Sequence, residues 1–227
     1  TGIEGFTPFV VGASLVLLAS LPLFFAIAPP RAAAETVGLL KVVRDAPVLV
    51  LGVLLVAILY GALWALLPVY GVRLGMTTAD AAALITVTAV GGVVLQFPIG
   101  WLGDMFNRWA VLLGCAFVSA VSAALVPWLT DSVWLLWIAL FALGGAFSAI
   151  YTMAMAIGGQ HYRGARLTLL MAAFGIMWGV GSLLGPVIAG WAMDTGGPQG
   201  LPASIMVMIV GYLGYAAARW IRFRSLR

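Results

Sequence analysis

The sequence predicts an all-α polytopic membrane helix bundle of about seven transmembrane helices, on three grounds. Charged side chains make up 8% of the 227 residues and hydrophobic ones 64%. An ordinary soluble domain carries roughly 25% charge, so water is not the solvent for most of this surface. The mean hydropathy of +1.15 is spread along the whole chain instead of being gathered into one removable N-terminal signal. Finally, seven apolar stretches each approach the roughly twenty residues that a bilayer core requires, without a charge in their interiors.

The first stretch runs from Phe9 to Ala28. Thr1 is not an initiator methionine and the apolar residues begin within about ten positions, so the chain is expected to start inside a longer protein. Residues 29–47 form the longest connection. Its Pro29-Pro30 pair, followed by Arg31, Lys41, Arg44 and Asp45, reads as a linker between two bundles, and Glu35 to Val43 is a candidate short amphipathic helix on the membrane surface. Six stretches complete residues 48–227: Val48 to Tyr70, Ala81 to Leu102, Trp109 to Leu129, Val133 to Ile157, Leu167 to Met193 and Ala203 to Ile221. Short connections force sequence neighbours to run antiparallel. Only Arg219, in the last turn of the final stretch, places a charge within a span, as the cost of burying charge in hydrocarbon predicts.

The cations set the orientation. Numbering the connections alternately puts Arg31, Lys41, Arg44, Arg108, Arg163, Arg166, Arg219, Arg222, Arg224 and Arg227 on one side and Arg73 alone on the other. By the positive-inside rule the first side is cytoplasmic, with the C-terminus inside and the N-terminus, Glu4, Asp80, Asp131 and Asp194 outside. An odd number of spans follows, in a multi-pass protein of the plasma membrane, expected to be a bacterial inner membrane.

Several functions lack the residues they need. The basic residues do not form a stripe with interleaved aromatics, so membrane lipid is the expected surrounding partner and nucleic acid is not one. Cys115 is the single cysteine and sits in an apolar run, which excludes an internal disulfide. His161 stands in the His161-Tyr162-Arg163 connection without a second His or a nearby carboxylate, so no metal site is expected. No Ser-His-Asp set, no paired buried carboxylates and no phosphate-binding Gly-Lys-Ser or Gly-Lys-Thr loop is present. The chain is therefore expected to be neither an enzyme nor an ATPase, and to need no cofactor.

An internal repeat is visible. Gly91 to Asp104 and Gly181 to Asp194 align without gaps, matching Gly91, Gly100, Trp101 and Asp104 to Gly181, Gly190, Trp191 and Asp194. Each copy lies on the second helix of a three-helix group counted from Val48, and the two copies end on opposite sides of the membrane. That is the sign of an inverted repeat.

The run from Gly100 to Arg108 also carries a physical logic of its own. Gly100 permits close helix approach at the membrane exit, Asp104 precedes a new helix and suits its positive N-terminal end, and Arg108 offers a partner. Its plain reading is a short solvated turn; its functional one is a conformational latch. Gly100, Leu102, Asp104 and Arg108 resemble the signature loop of the major facilitator superfamily, in which a Gly, three residues and an Asp precede basic residues, a Gly and a final basic residue. Met105 departs from the usual basic residue and Asn107 from the usual Gly; Asn is tolerable there because it enters the left-handed backbone region more readily than most residues. Gly175, Gly179, Gly181, Gly185, Pro186 and Gly190 resemble the bendable Gly-Pro helices of that family, and Arg163-Gly164 its Arg-Gly element.

The resemblance implies the sixth to twelfth helices of a secondary, non-ATP transporter that moves a small organic solute by alternating access. Residues 1–28 would be the last helix of the N-terminal half, residues 29–47 the linker, and residues 48–227 the C-terminal six-helix bundle built from an inverted 3+3 repeat. The N-terminal half of the same transporter would be a partner. Alternatives are a half-size protein acting as a homodimeric transporter, and a nontransport membrane scaffold or sensor. In the family the first, second, fourth and fifth helices of this half line the cavity, which implicates Tyr60, Trp64, Thr88, Gln96, Ser148, Tyr151, Trp178 and Ser182 as candidate contacts to a small-molecule substrate. Gly100, Leu102, Asp104, Arg108, Gly185, Pro186 and Gly190 are the candidate gating residues. No carboxylate or histidine falls mid-membrane, so a proton-coupling group is expected in the absent helices, or transport is uncoupled or coupled through the substrate's own charge.

Overall fold

The computed structural model describes residues 6–21 and 38–224. The chain divides into two units, Thr1–Ala34 and Glu35–Arg227. In the first, α1 (Thr7–Ser20) begins with Pro8 in its first turn, where the missing N–H is no loss. It is apolar but only 14 residues long. The rest of the predicted first span, from residue 22 to Ala28, lies outside the described residues.

The second unit is a bundle of helices. A short α2 (Leu39–Asp45) leads into α3 (Pro47–Arg73), α4 (Thr78–Val94), α5 (Gln96–Met105), α6 (Arg108–Leu125), α7 (Val133–His161), α8 (Gly164–Gly196) and α9 (Gly200–Arg224), with no strand among the described residues. Taking α4 with α5 as one span, six are long and apolar enough to cross a bilayer. Most run past the apolar stretches that predict them, because a helix satisfies its own backbone and continues through the headgroup region. The helical hydrogen-bonding of the second span is interrupted at Leu95. Pro98 removes the N–H that Val94 would otherwise receive.

The residues of α2 differ from the predicted surface helix in one respect. Val42 is buried in the bundle core together with Ala46, and α2 packs against α8. At the same end, burial and the Asp45 carboxylate push the Tyr162 phenol above its ordinary pKa while Arg166 opposes them.

Packing follows the repeat. The most extensive contact is α3 on α8, and α4 on α7 is its counterpart. Over an 18-residue apolar stretch of each, 61% of residues are buried in both α3 and α7, against 22% in both the α4–α5 span and α8. Apolar side chains such as Phe97 and Leu183 stand open on the second pair, 86% and 77% exposed. Such surfaces belong against lipid or another protein.

Glycines set both crossings. A Cβ on Gly181 would meet the Leu54 carbonyl at 2.8 Å, and one on Gly185 would collide with the Ile58 carbonyl, both on α3. In the other crossing a Cβ on Gly91 would collide with the Phe141 carbonyl of α7, and one on Gly144 with the Thr88 carbonyl of α4. Gly91 and Gly181, matched by the repeat, thus do the same work: each lets its helix approach the backbone of the first helix of the other group. The rest of the glycine series in α8 differs. Gly175 and Gly179 have open space where a Cβ would go, and Gly190 meets only Leu66 Cδ1 at 3.9 Å, so within that series only Gly181 and Gly185 permit a close approach.

Candidate functional site

Tyr60 is the hub of an aromatic face. It projects from the middle of α3, with its ring centroid 4.9 Å from Trp64 one turn on, 5.0 Å from Phe147 of α7 and 5.4 Å from Trp178 of α8. Tyr151, one turn beyond Phe147, meets Trp178 edge-on at 5.4 Å. Ser148 donates its hydroxyl proton to the Gly144 carbonyl at 2.7 Å, which leaves its oxygen to accept from Tyr60 Oη at 3.2 Å. Ser182 donates likewise to the Trp178 carbonyl at 2.7 Å. Trp64 and Trp178 remain open, 43% and 37% exposed. The face therefore presents π surfaces and a few hydroxyl oxygens, with no ionised group among these side chains. The glycine crossings bring it together: a Cβ on Gly61 would meet the Ser182 carbonyl at 2.6 Å, and one on Gly92 the Ser148 hydroxyl at 3.2 Å.

Two predicted residues stand apart from this cluster. Thr88 is 1% exposed and donates to the Leu84 carbonyl at 2.8 Å, so it packs in the α4–α7 crossing. Gln96 is exposed at the start of α5, one turn beyond Gly92. Phe147, fully buried beneath Tyr60, belongs to the cluster but carried no polar atom to mark it in the sequence.

The second constellation lies at the α5–α6 junction. Arg108 donates from its guanidinium to Asp104 Oδ1 at 2.8 Å, to the Gly103 carbonyl at 3.2 Å and to the Ala156 carbonyl of α7 at 3.2 Å. One side chain thus ties α5 and α6 to the end of α7. Three details differ from the sequence reading. Asp104 lies in the last turn of α5, where the carbonyl end of its own helix opposes it, and Arg108 offsets that repulsion. The α6 N-cap is Asn107, whose side chain accepts from the Trp109 amide at 2.9 Å with φ −62°, so no left-handed conformation is used. The close approach falls to Gly103, where a Cβ would come within 2.8 Å of Met153 Sδ; around Gly100 the space is open. Leu102 is exposed.

The Major Facilitator Superfamily model matches residues 49–226. The chain belongs to this superfamily. It is also 31% identical over 192 residues to the uncharacterized MFS-type transporter YcaD of Salmonella paratyphi B, and to the same protein of Salmonella newport and of Salmonella heidelberg. Each match takes in 82% of this chain and 48% of the relative. The chain thus spans about half the length of the curated relatives it matches. As a superfamily member it is an integral, multi-pass membrane protein of a transporter family whose members are not enzymes. His161 ends α7, its Nδ1–H donating to the Ile157 carbonyl at 3.0 Å.

Proposed function

We propose that this chain is the C-terminal part of a secondary transporter that moves a small organic solute by alternating access. In this reading residues 1–28 are the last helix of the N-terminal half, residues 29–47 the linker and residues 48–227 the C-terminal bundle. The N-terminal half of the same protein packs against the poorly buried α4–α5 and α8 and closes the cavity. Tyr60, Trp64, Ser148, Tyr151, Trp178 and Ser182 form this half's wall of it, and Gln96 lies at its edge.

The observation that carries this reading is the gathering of those groups from α3, α7 and α8 into one uncharged wall. A wall of π faces and hydroxyl oxygens suits an organic solute that is neutral or meets its charge on the other half. The end bearing Arg108 is cytoplasmic, because ten of the eleven Lys and Arg residues fall on that side. There Gly100, Leu102, Asp104 and Arg108 act as a latch, and the membrane is the bacterial inner membrane. Gly185 and Pro186 form the pivot of α8, with Gly190 on its free length.

The test is uptake by the full-length protein, with a solute found by screening. Trp64→Ala and Trp178→Ala should each raise KM about tenfold, because one stacking contact contributes about 1.5 kcal/mol. Uptake with unaltered KM and kcat in both variants places the substrate elsewhere.

A further inference from the structure

The repeat pairs Asp104 with Asp194, and the structure gives both the same polar setting. Asp194 lies in the last turn of α8, as Asp104 lies in the last turn of α5. Arg108 binds the Asp104 carboxylate and the carbonyl of the preceding residue, Gly103. Arg73 binds the Asp194 carboxylate at 3.1 Å and the carbonyl of the preceding residue, Met193, at 3.0 Å. Each guanidinium also connects its site to the first helix of the other group: Arg108 by its bond to Ala156 of α7, Arg73 by standing at the end of α3. The two forks reach the same place by different routes, one from the following helix and one from across the bundle.

The Arg73 fork has a mechanical setting of its own. Gly61, Gly181 and Gly185 fix α3 and α8 backbone against backbone, with Pro186 Cδ 3.1 Å from where a Gly61 Cβ would stand. Beyond that crossing α3 contains Pro68, five residues before Arg73, while α8 carries Pro186 within the crossing, eight residues before Asp194. A proline inside a helix removes a backbone bond and lets the helix bend. The two helix tips therefore extend from a fixed crossing, that of α3 past Pro68 and that of α8 from Pro186 at the crossing itself. The Arg73 bonds join these tips, and Tyr70 Oη, also beyond Pro68, donates to Oε1 of Gln199 in the connection after α8 at 3.2 Å.

We propose that Arg73 and Asp194 form a clasp that joins the tips of α3 and α8 in one access state and releases them in the other. This rests on the transport reading above, in which that end faces outward. The side chains are 42% and 71% exposed, so the pair is weak enough to open on thermal fluctuation and strong enough to bias a population. Arg73 is the one cation on its side of the membrane, against the general preference for cations on the other. A topological signal does not require it there; the clasp does.

The test uses the full-length protein with nitroxides at Val72 and Thr195 and reads their dipolar broadening, which is independent of transport. Arg73→Gln and Asp194→Asn should each weaken the broadening, shifting several-fold more of the population to separated tips. The charge-reversed double variant Arg73→Asp with Asp194→Arg should return the spectrum towards that of the parent. Spectra that stay the same in both single variants overturn the clasp, as does a double variant no better than the singles. Uptake separates the two proposals. Spectra that change as stated, in a protein that carries no solute, show the pair holding the tips together but remove the transport reading, and with it the assignment of the clasp to an access state. Uptake that falls while the spectra stay constant does the reverse.

Discussion

The two three-helix groups, α3 to α6 and α7 to α9, use one packing plan with different local chemistry. Both first helices are deeply buried and both second helices are not, and each second helix crosses the other group's first helix on glycine. Yet the second span of the first group is interrupted at Leu95, with Pro98 beyond the break, whereas α8 runs unbroken through Pro186. The difference lies in where the proline sits relative to the crossing. Pro98 comes after the Gly91 contact, in the part leading to the Arg108 fork, while Pro186 lies within the contact itself, next to Gly185. Crossing geometry is thus held in common, and flexibility is placed differently on each side of it.

The largest expected effect separates glycines that carry the crossing from those that do not. Gly185→Ala puts a methyl group into the Ile58 carbonyl and Gly91→Ala one into that of Phe141. Backbone cannot retreat as a side-chain tip can, so each should destabilise the full-length protein by about 2 to 3 kcal/mol. Gly175→Ala, on the same helix as Gly185 with open space around it, should change stability by under about 0.5 kcal/mol. Thermal unfolding in detergent measures all three. A Gly175 variant as damaged as the Gly185 variant would remove the distinction.

Labelling of introduced cysteines sharpens the comparison between the two ends. Positions near Asp131 and Pro198 should react with a membrane-impermeant thiol reagent in intact cells, and positions near Arg108 and Arg163 should not. Reaction at Arg108 from outside would reverse the assignment of the two forks to their sides.

A smaller effect concerns the Arg108 fork alone. Asp104→Asn keeps the shape and removes the charge, and an exposed ion pair contributes up to about 1 kcal/mol, so a latch that depends on it should lose about fivefold in transport turnover. Expression and membrane insertion should stay near the parent's. Unchanged turnover would make the loop a plain turn.

How far the sequence announces these features depends on whether they are local. The six long spans were legible because hydrocarbon excludes charge residue by residue, a rule needing no partner. The break at Leu95 was not, since Pro98 sits in a run that is apolar on both sides and reads as continuous. Tyr60 and Ser148 were each visible as mid-span polar residues, but their mutual bond spans 88 positions and depends on how α3 and α7 pack. Gly100 and Gly103 look alike in one dimension; only the direction in which α5 presents them decides which one meets Met153. Arg73 appeared as an exception in a count, and the repeat marked its partner Asp194 without showing which cation would bind it.

The smallest effect tests the one position where the loop departs from its family in backbone terms. Asn107 stands where glycine is usual, and glycine at such a site ordinarily supplies a positive φ. Here φ is −62°, and the side chain caps α6 by accepting from the Trp109 amide. Glycine then offers no relief of strain and gives up one hydrogen bond, so Asn107→Gly should destabilise α6 by only a few tenths of a kcal/mol. Asn107→Ala removes the cap without glycine's tolerance for the N-cap position, and should lose about 1 kcal/mol. Hydrogen exchange at the Trp109 amide reads the cap directly: protection should fall in both variants, and further in the alanine one. If Asn107→Gly instead stabilises the protein, the left-handed conformation is the preferred one after all, and the cap is the lesser of the two terms at the start of α6.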